Sequence, residues 1–153
     1  GKLDILVGNA GQLGTMGPIN HINPEVWEKT MAINLTANWR LIRSFDPLLR
    51  LSDAGRAIFL TSAAAHYHRP FWGLYASSKA ALEMMVATYS KEISQTNIKV
   101  NLFNPGPTRT VMRAEAYPGE DPNKNKTAET AAKKLINLTL SSCILNGEII
   151  NAD

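Results

Sequence analysis

The sequence predicts an α/β fold, a doubly wound parallel sheet of about four strands that three main helices cover on both faces. Short apolar runs that end at glycine, proline or asparagine alternate with longer segments of helical periodicity. The resulting order is strand, helix, strand, helix, strand, helix, strand, which indicates parallel strands joined by right-handed crossovers. We interpret residues 1–153 as one domain, since a chain of this length with 44% hydrophobic residues can form a single packed core.

Four apolar runs are the predicted strands. The first spans residues 3–7 and is closed by Gly8, so it is too short for a helix and suits a buried parallel strand. The others span residues 57–61, 98–103 and 147–150. The chain enters its first strand almost at once and stops directly after its last, whereas most domains carry polar residues at both ends. We therefore expect the chain to be a truncated part of a larger fold.

Three segments are the predicted helices. The first begins at Pro24, behind Asn23 as N-cap and with Glu25 in its first turn, and runs to about residue 45, ending near Pro47 or slightly beyond it. The second spans about residues 74–94 and the third residues 127–140. Residues 108–126 are polar and rich in turn formers, so we expect a mobile loop there with at most a short helix.

Composition excludes several classes of function. The net charge is only +3, and the 16 basic residues are scattered singly, so we expect no nucleic-acid partner. The single cysteine, Cys143, cannot form an internal disulfide, which favours a reducing compartment. No apolar stretch approaches the roughly 18 residues that span a bilayer, and no signal peptide opens the chain. We expect a cytoplasmic protein without a membrane partner.

The strongest chemical signal is the pair Tyr75 and Lys79 at the start of the second helix. Residues at i and i+4 share one helix face, about 6 Å apart. A lysine cation there stabilises a tyrosinate by a few kcal/mol at an effective dielectric near 20, about enough to move a phenol pKa from ~10 toward neutral. Such a phenol exchanges a proton with an alcohol or carbonyl near pH 7. The spacing alone is weak, because a solvated helix end also carries tyrosine and lysine.

Other residues support this interpretation. Ser62 lies 13 residues before Tyr75, at the carboxyl end of the second strand, where its hydroxyl can meet the tyrosine over one substrate oxygen. Asn34 lies in the middle of the first helix, where asparagine is unfavourable. With these residues, the chain resembles the short-chain dehydrogenase/reductase family over its whole length. The ordered motifs are Asn9-Ala10-Gly11, Asn34, Ser62, Tyr75-x-x-x-Lys79, and Asn-x-x-x-Pro-Gly-x-x-x-Thr from Asn101 to Thr110.

The resemblance implies a partial Rossmann-like domain and a role for each matching residue. Tyr75 is then the general acid/base in hydride transfer between NAD or NADP and an alcohol or ketone. Lys79 lowers the pKa of Tyr75 and binds the nicotinamide ribose, and Ser62 orients the substrate carbonyl. Asn34 holds a water that links Lys79 to solvent. The cofactor is bordered by Asn9, Ala10, Gly11, Tyr75, Lys79, Pro105, Gly106, Thr108 and Thr110.

One part of the family's pattern is missing. The sequence contains no Thr-Gly-x-x-x-Gly-x-Gly turn, which seats the cofactor's pyrophosphate on a helix N-terminus. The segment from Gly8 to Gly14 does not replace it, because its glycines fall at every third position. The choice between NAD and NADP is therefore not predicted. The alternative hypothesis is a truncated, non-catalytic remnant that cannot bind cofactor alone, and we expect the isolated chain to be inactive.

Two further expectations concern partners. The resemblance implies a homodimer or homotetramer that pairs the two long helices across a two-fold axis, and Met84 and Met85 suit such a contact. We expect no metal site, because His66 and His68 lack a third ligand of matching spacing. Their loop is expected instead to line the mouth of the substrate site.

Overall fold

Four parallel strands form one sheet, in the order β1-β2-β3-β4, in the computed structural model of the chain, which describes residues 1–152. The strands are β1 (Ile5–Gly8), β2 (Arg56–Leu60), β3 (Lys99–Asn104) and β4 (Ile149–Asn151). Each strand pairs in parallel with the next along the chain. The predicted fold class is confirmed.

Strand boundaries differ from the prediction by one or two residues. Leu3, predicted to open the first strand, instead donates its backbone N–H to the Leu48 carbonyl at 3.1 Å. Gly8, predicted to close that strand, pairs with Phe59 inside the sheet. A Cβ on Gly8 would overlap both the Phe59 ring and the side-chain oxygen of Asn38, so only glycine fits at this position.

The first long helical segment is divided into three parts. It consists of α1 (Pro24–Met31), a π-helical turn (Ala32–Thr36) and α2 (Ala37–Arg50). Asn23 caps it as predicted, since its side chain accepts the N–H of Glu25 at 2.8 Å. The helix ends at Arg50, slightly beyond Pro47, which lies inside α2. The fully buried Leu49 and the Leu48 carbonyl that binds Leu3 hold the turn around this proline.

The remaining helices are α3 (Gly73–Glu92), α4 (Val111–Ala116) and α5 (Ala128–Thr139). Helix α4 is the short helix expected within residues 108–126. One face of the sheet packs through Phe59 and Val100 against α2 and α3. The other face packs through Ile58 and Phe103 against Leu138 of α5. Helices on both faces make the sheet doubly wound.

Strand β1 forms an edge of the sheet among the described residues, as it pairs only with β2. Its outer side chains are apolar and partly open to solvent, with Ile5 45% and Val7 40% exposed. Because the strands are parallel, the carboxyl ends of β1, β2 and β3 lie at the same edge of the sheet, where each strand enters a loop. In sheets of this kind ligands bind at that edge.

Candidate active site

The loops after β1, β2 and β3 enclose a cavity of about 950 Å³ with α3 and α4. The cavity is lined by nearly every site residue predicted from the sequence: Asn9, Ala10, Gly11, Ser62, Tyr75, Lys79, Pro105, Gly106, Thr108 and Thr110. Asn34 does not line it. Its amide oxygen lies directly behind Gly11, within 3.5 Å of where a Cβ on that glycine would be.

Lys79 is held against the end of β2. The side chain is only 4% exposed, and its Nζ donates to the Leu60 carbonyl at 2.8 Å. Burial lowers the pKa of Lys79 to about 8, against the opposing effect of the nearby Glu83 carboxylate. Its Nζ also lies 5.8 Å from the centre of the Tyr75 ring. Because an ammonium group carries three protons, two remain for ligands in the cavity.

The pKa of Tyr75 moves in the direction opposite to the sequence expectation. Burial raises the pKa of this phenol above its ordinary value, and a hydrogen bond with the Ser62 hydroxyl opposes the rise. The Lys79 ammonium donates to the Leu60 carbonyl and not to the phenol. A phenol with a raised pKa keeps its proton at neutral pH.

Asn34 is fully buried in the π-helical turn and connects three parts of the fold. Its amide oxygen accepts the Gln12 N–H at 2.8 Å, and its Nδ2 donates to the Gln12 carbonyl at 2.9 Å. The same Nδ2 donates to the Ser78 hydroxyl on α3 at 2.9 Å. An asparagine that is unfavourable in mid-helix therefore fixes the loop after β1 to α3, next to Lys79.

Sequence reasoning missed Glu83, a residue of α3 that is only 9% exposed. Its Oε1 accepts the Thr61 hydroxyl at 2.5 Å, and its Oε2 lies 3.0 Å from Nε2 of His66. Glu83 thereby ties the segment around Ser62 to the helix that carries Tyr75 and Lys79. Its spacing of four residues after Lys79 was the available signal, because i and i+4 residues share a helix face.

The segment after β3 is ordered by its own hydrogen bonds. Gly106 has a φ of 64°, and its N–H donates to the Asn104 side chain at 3.1 Å. The Thr108 hydroxyl donates to the Gly106 carbonyl at 3.1 Å. Thr110 is the N-cap of α4, since its hydroxyl accepts the Arg113 N–H at 3.2 Å. These bonds order a segment that lines the same cavity as Tyr75.

The loop from His66 to Trp72 borders the cavity mouth through Tyr67, Arg69 and Trp72. His66 faces Glu83 instead. Within residues 1–152 no three side chains of His, Cys, Asp or Glu are grouped closely enough to bind a metal ion. In the same part of the chain, no helix has the length and apolar character needed to cross a membrane.

Comparison with known proteins decides the family. Residues 1–121 match the family model described as short chain dehydrogenase. The chain belongs to the short-chain dehydrogenase family. The uncharacterised oxidoreductase YciK of Escherichia coli K12 is 44% identical over 126 residues, which are 82% of this chain and 50% of that protein.

Solved structures of family members agree closely with the fold. A short-chain dehydrogenase from Salmonella enterica serovar Typhi superimposes with a TM-score of 0.95 at 38% identity, covering 99% of this chain and 63% of its own. One from Shigella flexneri, complexed with NADP, has a TM-score of 0.93 at 40% identity with the same coverage. The chain spans about half the length of the curated relatives it matches.

Proposed function

We propose that this chain carries the catalytic residues of an NAD(P)-dependent oxidoreductase that transfers hydride between nicotinamide and the hydroxyl or carbonyl group of a small molecule. The observation that carries the proposal is the meeting of Ser62, Tyr75 and Lys79 at one cavity, from two separate elements of the fold. Named relatives of the family are oxidoreductases and dehydrogenases.

The cavity suits an anionic dinucleotide. Lys79 lines it, and no Asp or Glu is among the described residues that do so. Gly11 lets the backbone of the loop after β1 approach a ligand closely, because it has no Cβ beside Lys79. Lys79 would bind the nicotinamide ribose with its two remaining protons. When bound, the cofactor would supply the hydride.

Other residues would hold the two ends of the cofactor. Asn9, Ala10 and Gly11 would border its adenosine side. The nicotinamide would be lined by Pro105, Gly106, Thr108 and Thr110. A relative from Mycobacterium tuberculosis is named as NAD-dependent, whereas the similar Shigella structure is complexed with NADP, so both cofactors are tested.

Proton transfer would run through Tyr75. Its phenol is protonated at neutral pH and would donate to the carbonyl oxygen during reduction. The Ser62 hydroxyl would bind the same oxygen and stabilise the charge that develops on it. A carbonyl-type oxygen accepts two hydrogen bonds, so Asn34 Oδ1 has one position left beyond the Gln12 N–H. That position would hold a water that passes protons between Lys79 and solvent.

The assembly and its location belong to the same proposal. We expect a cytoplasmic homodimer or homotetramer that acts on alcohols or ketones. Met84 is 69% exposed on α3 and suits a contact between subunits. Met85, in contrast, packs against the core of its own chain.

The experiment that tests this proposal compares the 153-residue chain with a complete enzyme. The complete enzyme is a longer protein that carries this sequence, or a chimera in which the amino-terminal segment of YciK precedes it. With a panel of alcohols and ketones, we expect the complete enzyme to oxidise NADPH or NADH and Lys79→Met to weaken both cofactor affinity and turnover. Absence of turnover and of cofactor binding in the complete enzyme would support the non-catalytic remnant instead.

The isolated chain is expected to bind cofactor poorly. A pyrophosphate contacted by several backbone N–H groups gains about 1.5–3 kcal/mol from each, and the glycine-rich turn that provides them is absent from the sequence. Calorimetry with NAD, NADP and their reduced forms measures the difference. Micromolar binding by the isolated chain would contradict this expectation.

A further inference from the structure

The mouth of the cavity contains an arginine, Arg69, that forms no ion pair within residues 1–152. Arg69 donates from Nη1 to the Tyr117 hydroxyl at 2.8 Å, and its guanidinium lies 5.2 Å from the centre of the Tyr67 ring. No carboxylate of the described residues forms an ion pair with it. Arg69 lines the cavity while remaining exposed, so its other N–H donors are open to a ligand.

The second arginine at this mouth is neutralised. Arg113 donates from Nε and Nη2 to the two carboxylate oxygens of Glu120, at 2.6 Å each. It also stacks over the Tyr117 ring, with its guanidinium carbon 3.8 Å from the ring centre. Arg113 therefore positions the tyrosine that holds Arg69, and of the two arginines at this mouth only Arg113 has an ion-pair partner among the described residues.

Aromatic rings connect Arg69 to the catalytic tyrosine. Trp72 contacts Tyr75 edge-on with ring centres 6.1 Å apart, and contacts Tyr117 with centres 5.7 Å apart. Trp72 is the N-cap of α3, and Lys79 lies seven residues after it, a distance of about 10 Å along the helix axis. Gly11 adjoins Lys79, so Trp72 lies about two helical turns from the part of the loop after β1 that carries Gly11.

The loop that presents these side chains is strained. Phe71 has a φ of 72°, a left-handed conformation that is unfavourable for a bulky residue. Hydrogen bonds hold it there: the Phe71 carbonyl accepts the Gly17 N–H at 3.1 Å, and the Arg69 N–H donates to the Tyr67 carbonyl at 2.9 Å. Strain that neighbouring contacts maintain is characteristic of functional loops, and this one fixes Arg69 and Trp72 over the cavity.

We infer that the substrate carries a carboxylate, which the Arg69 guanidinium and the Tyr117 hydroxyl bind, while the body of the molecule packs against Trp72. The inference rests on the proposed oxidoreductase function and names its substrate class. A planar carboxylate fits the fork of a guanidinium, as Glu120 fits that of Arg113. An anchored carboxylate would leave the carbonyl group at the Ser62 and Tyr75 hydroxyls.

The test uses the complete enzyme with 4-oxocyclohexanecarboxylate and its methyl ester. A charged hydrogen bond corresponds to roughly a tenfold or larger change in affinity, so we expect the acid to have a KM at least about tenfold below that of the ester. In Arg69→Gln this preference should vanish while turnover of the ester is retained. Arg109→Gln is the matched control, because Arg109 is exposed, binds Asn123 and does not line the cavity.

Binding is measured separately from turnover. Cyclohexanecarboxylate should quench the tryptophan fluorescence of the wild type and of Tyr75→Phe, but not that of Arg69→Gln. This result stands even if neither ketone is reduced, in which case only the proposed function fails. The inference is overturned if Arg69→Gln keeps the preference for the acid, if cyclohexanecarboxylate does not bind the wild type, or if Arg69→Gln instead weakens NADPH affinity, which would assign the arginine to the cofactor.

Discussion

Replacing Asn34 with leucine should destabilise the domain through three hydrogen bonds, not through lost volume. The side chain accepts from Gln12 and donates to Gln12 and Ser78, with all three distances at 2.8–2.9 Å. Leucine has nearly the same size, so the cavity contribution is small. At about 1 kcal/mol for each bond, the free energy of unfolding should fall by roughly 3 kcal/mol. For a domain of this size that is a decrease in Tm of about 6–12 °C.

Urea titration of the complete enzyme measures this loss, with an unchanged slope showing that the midpoint reports stability. Asn137→Leu is the matched control, since Asn137 is exposed on α5 and should change stability by less than about 0.5 kcal/mol. Because Asn34 also holds the loop after β1 beside Lys79, NADPH affinity should fall in the Asn34 variant only. A loss no larger than that of the control would refute the reasoning.

Three other predictions concern the same site. Because the pKa of Lys79 is lowered to about 8 from its ordinary 10.5, the unfolded chain binds more protons than the folded chain between these pH values, so the free energy of unfolding should rise with pH across that window, and Lys79→Met should abolish the rise. Glu83→Gln removes the carboxylate charge that opposes the shift, so it should lower the Lys79 pKa further in an NMR titration. Gly11→Ala should fold normally, because the added Cβ would lie at an ordinary 3.5 Å from both Asn34 Oδ1 and Lys79 Nζ. It should nevertheless reduce turnover about tenfold by excluding water between these two groups, and wild-type turnover would contradict the proposed proton relay from Lys79 to solvent. Met84→Glu should convert the expected dimer or tetramer to monomers in sedimentation, and a monomeric wild type at micromolar concentration would count against the assembly.

Much of the fold could be predicted from local patterns, because each strand is a short apolar run between turn residues. The exceptions depend on distant contacts. Pro47 is a helix breaker by local rules, but Leu49 is fully buried and Leu48 binds Leu3, so tertiary packing extends α2 past the proline. No pattern within that segment contains this information.

The site divides in the same way. The identity and order of Ser62, Tyr75 and Lys79 could be predicted from the sequence, because their chemistry and spacing are local features. The direction of the Tyr75 pKa could not, since it depends on how deeply the folded chain buries the phenol. The role of Glu83 was also hidden, because its partners lie 17 and 22 residues away in the sequence.

The most direct test of the proposed mechanism is the turnover of Tyr75→Phe in the complete enzyme, measured beside its NADPH affinity. Removing one hydroxyl leaves the ring contact with Trp72 and the Lys79 bond to Leu60 in place. Tyr67→Phe is the matched control, because Tyr67 lines the same cavity at its mouth. The proposal predicts that Tyr75→Phe loses turnover by at least about a hundredfold with nearly unchanged cofactor affinity, and that Tyr67→Phe remains active. Wild-type turnover in Tyr75→Phe would contradict it.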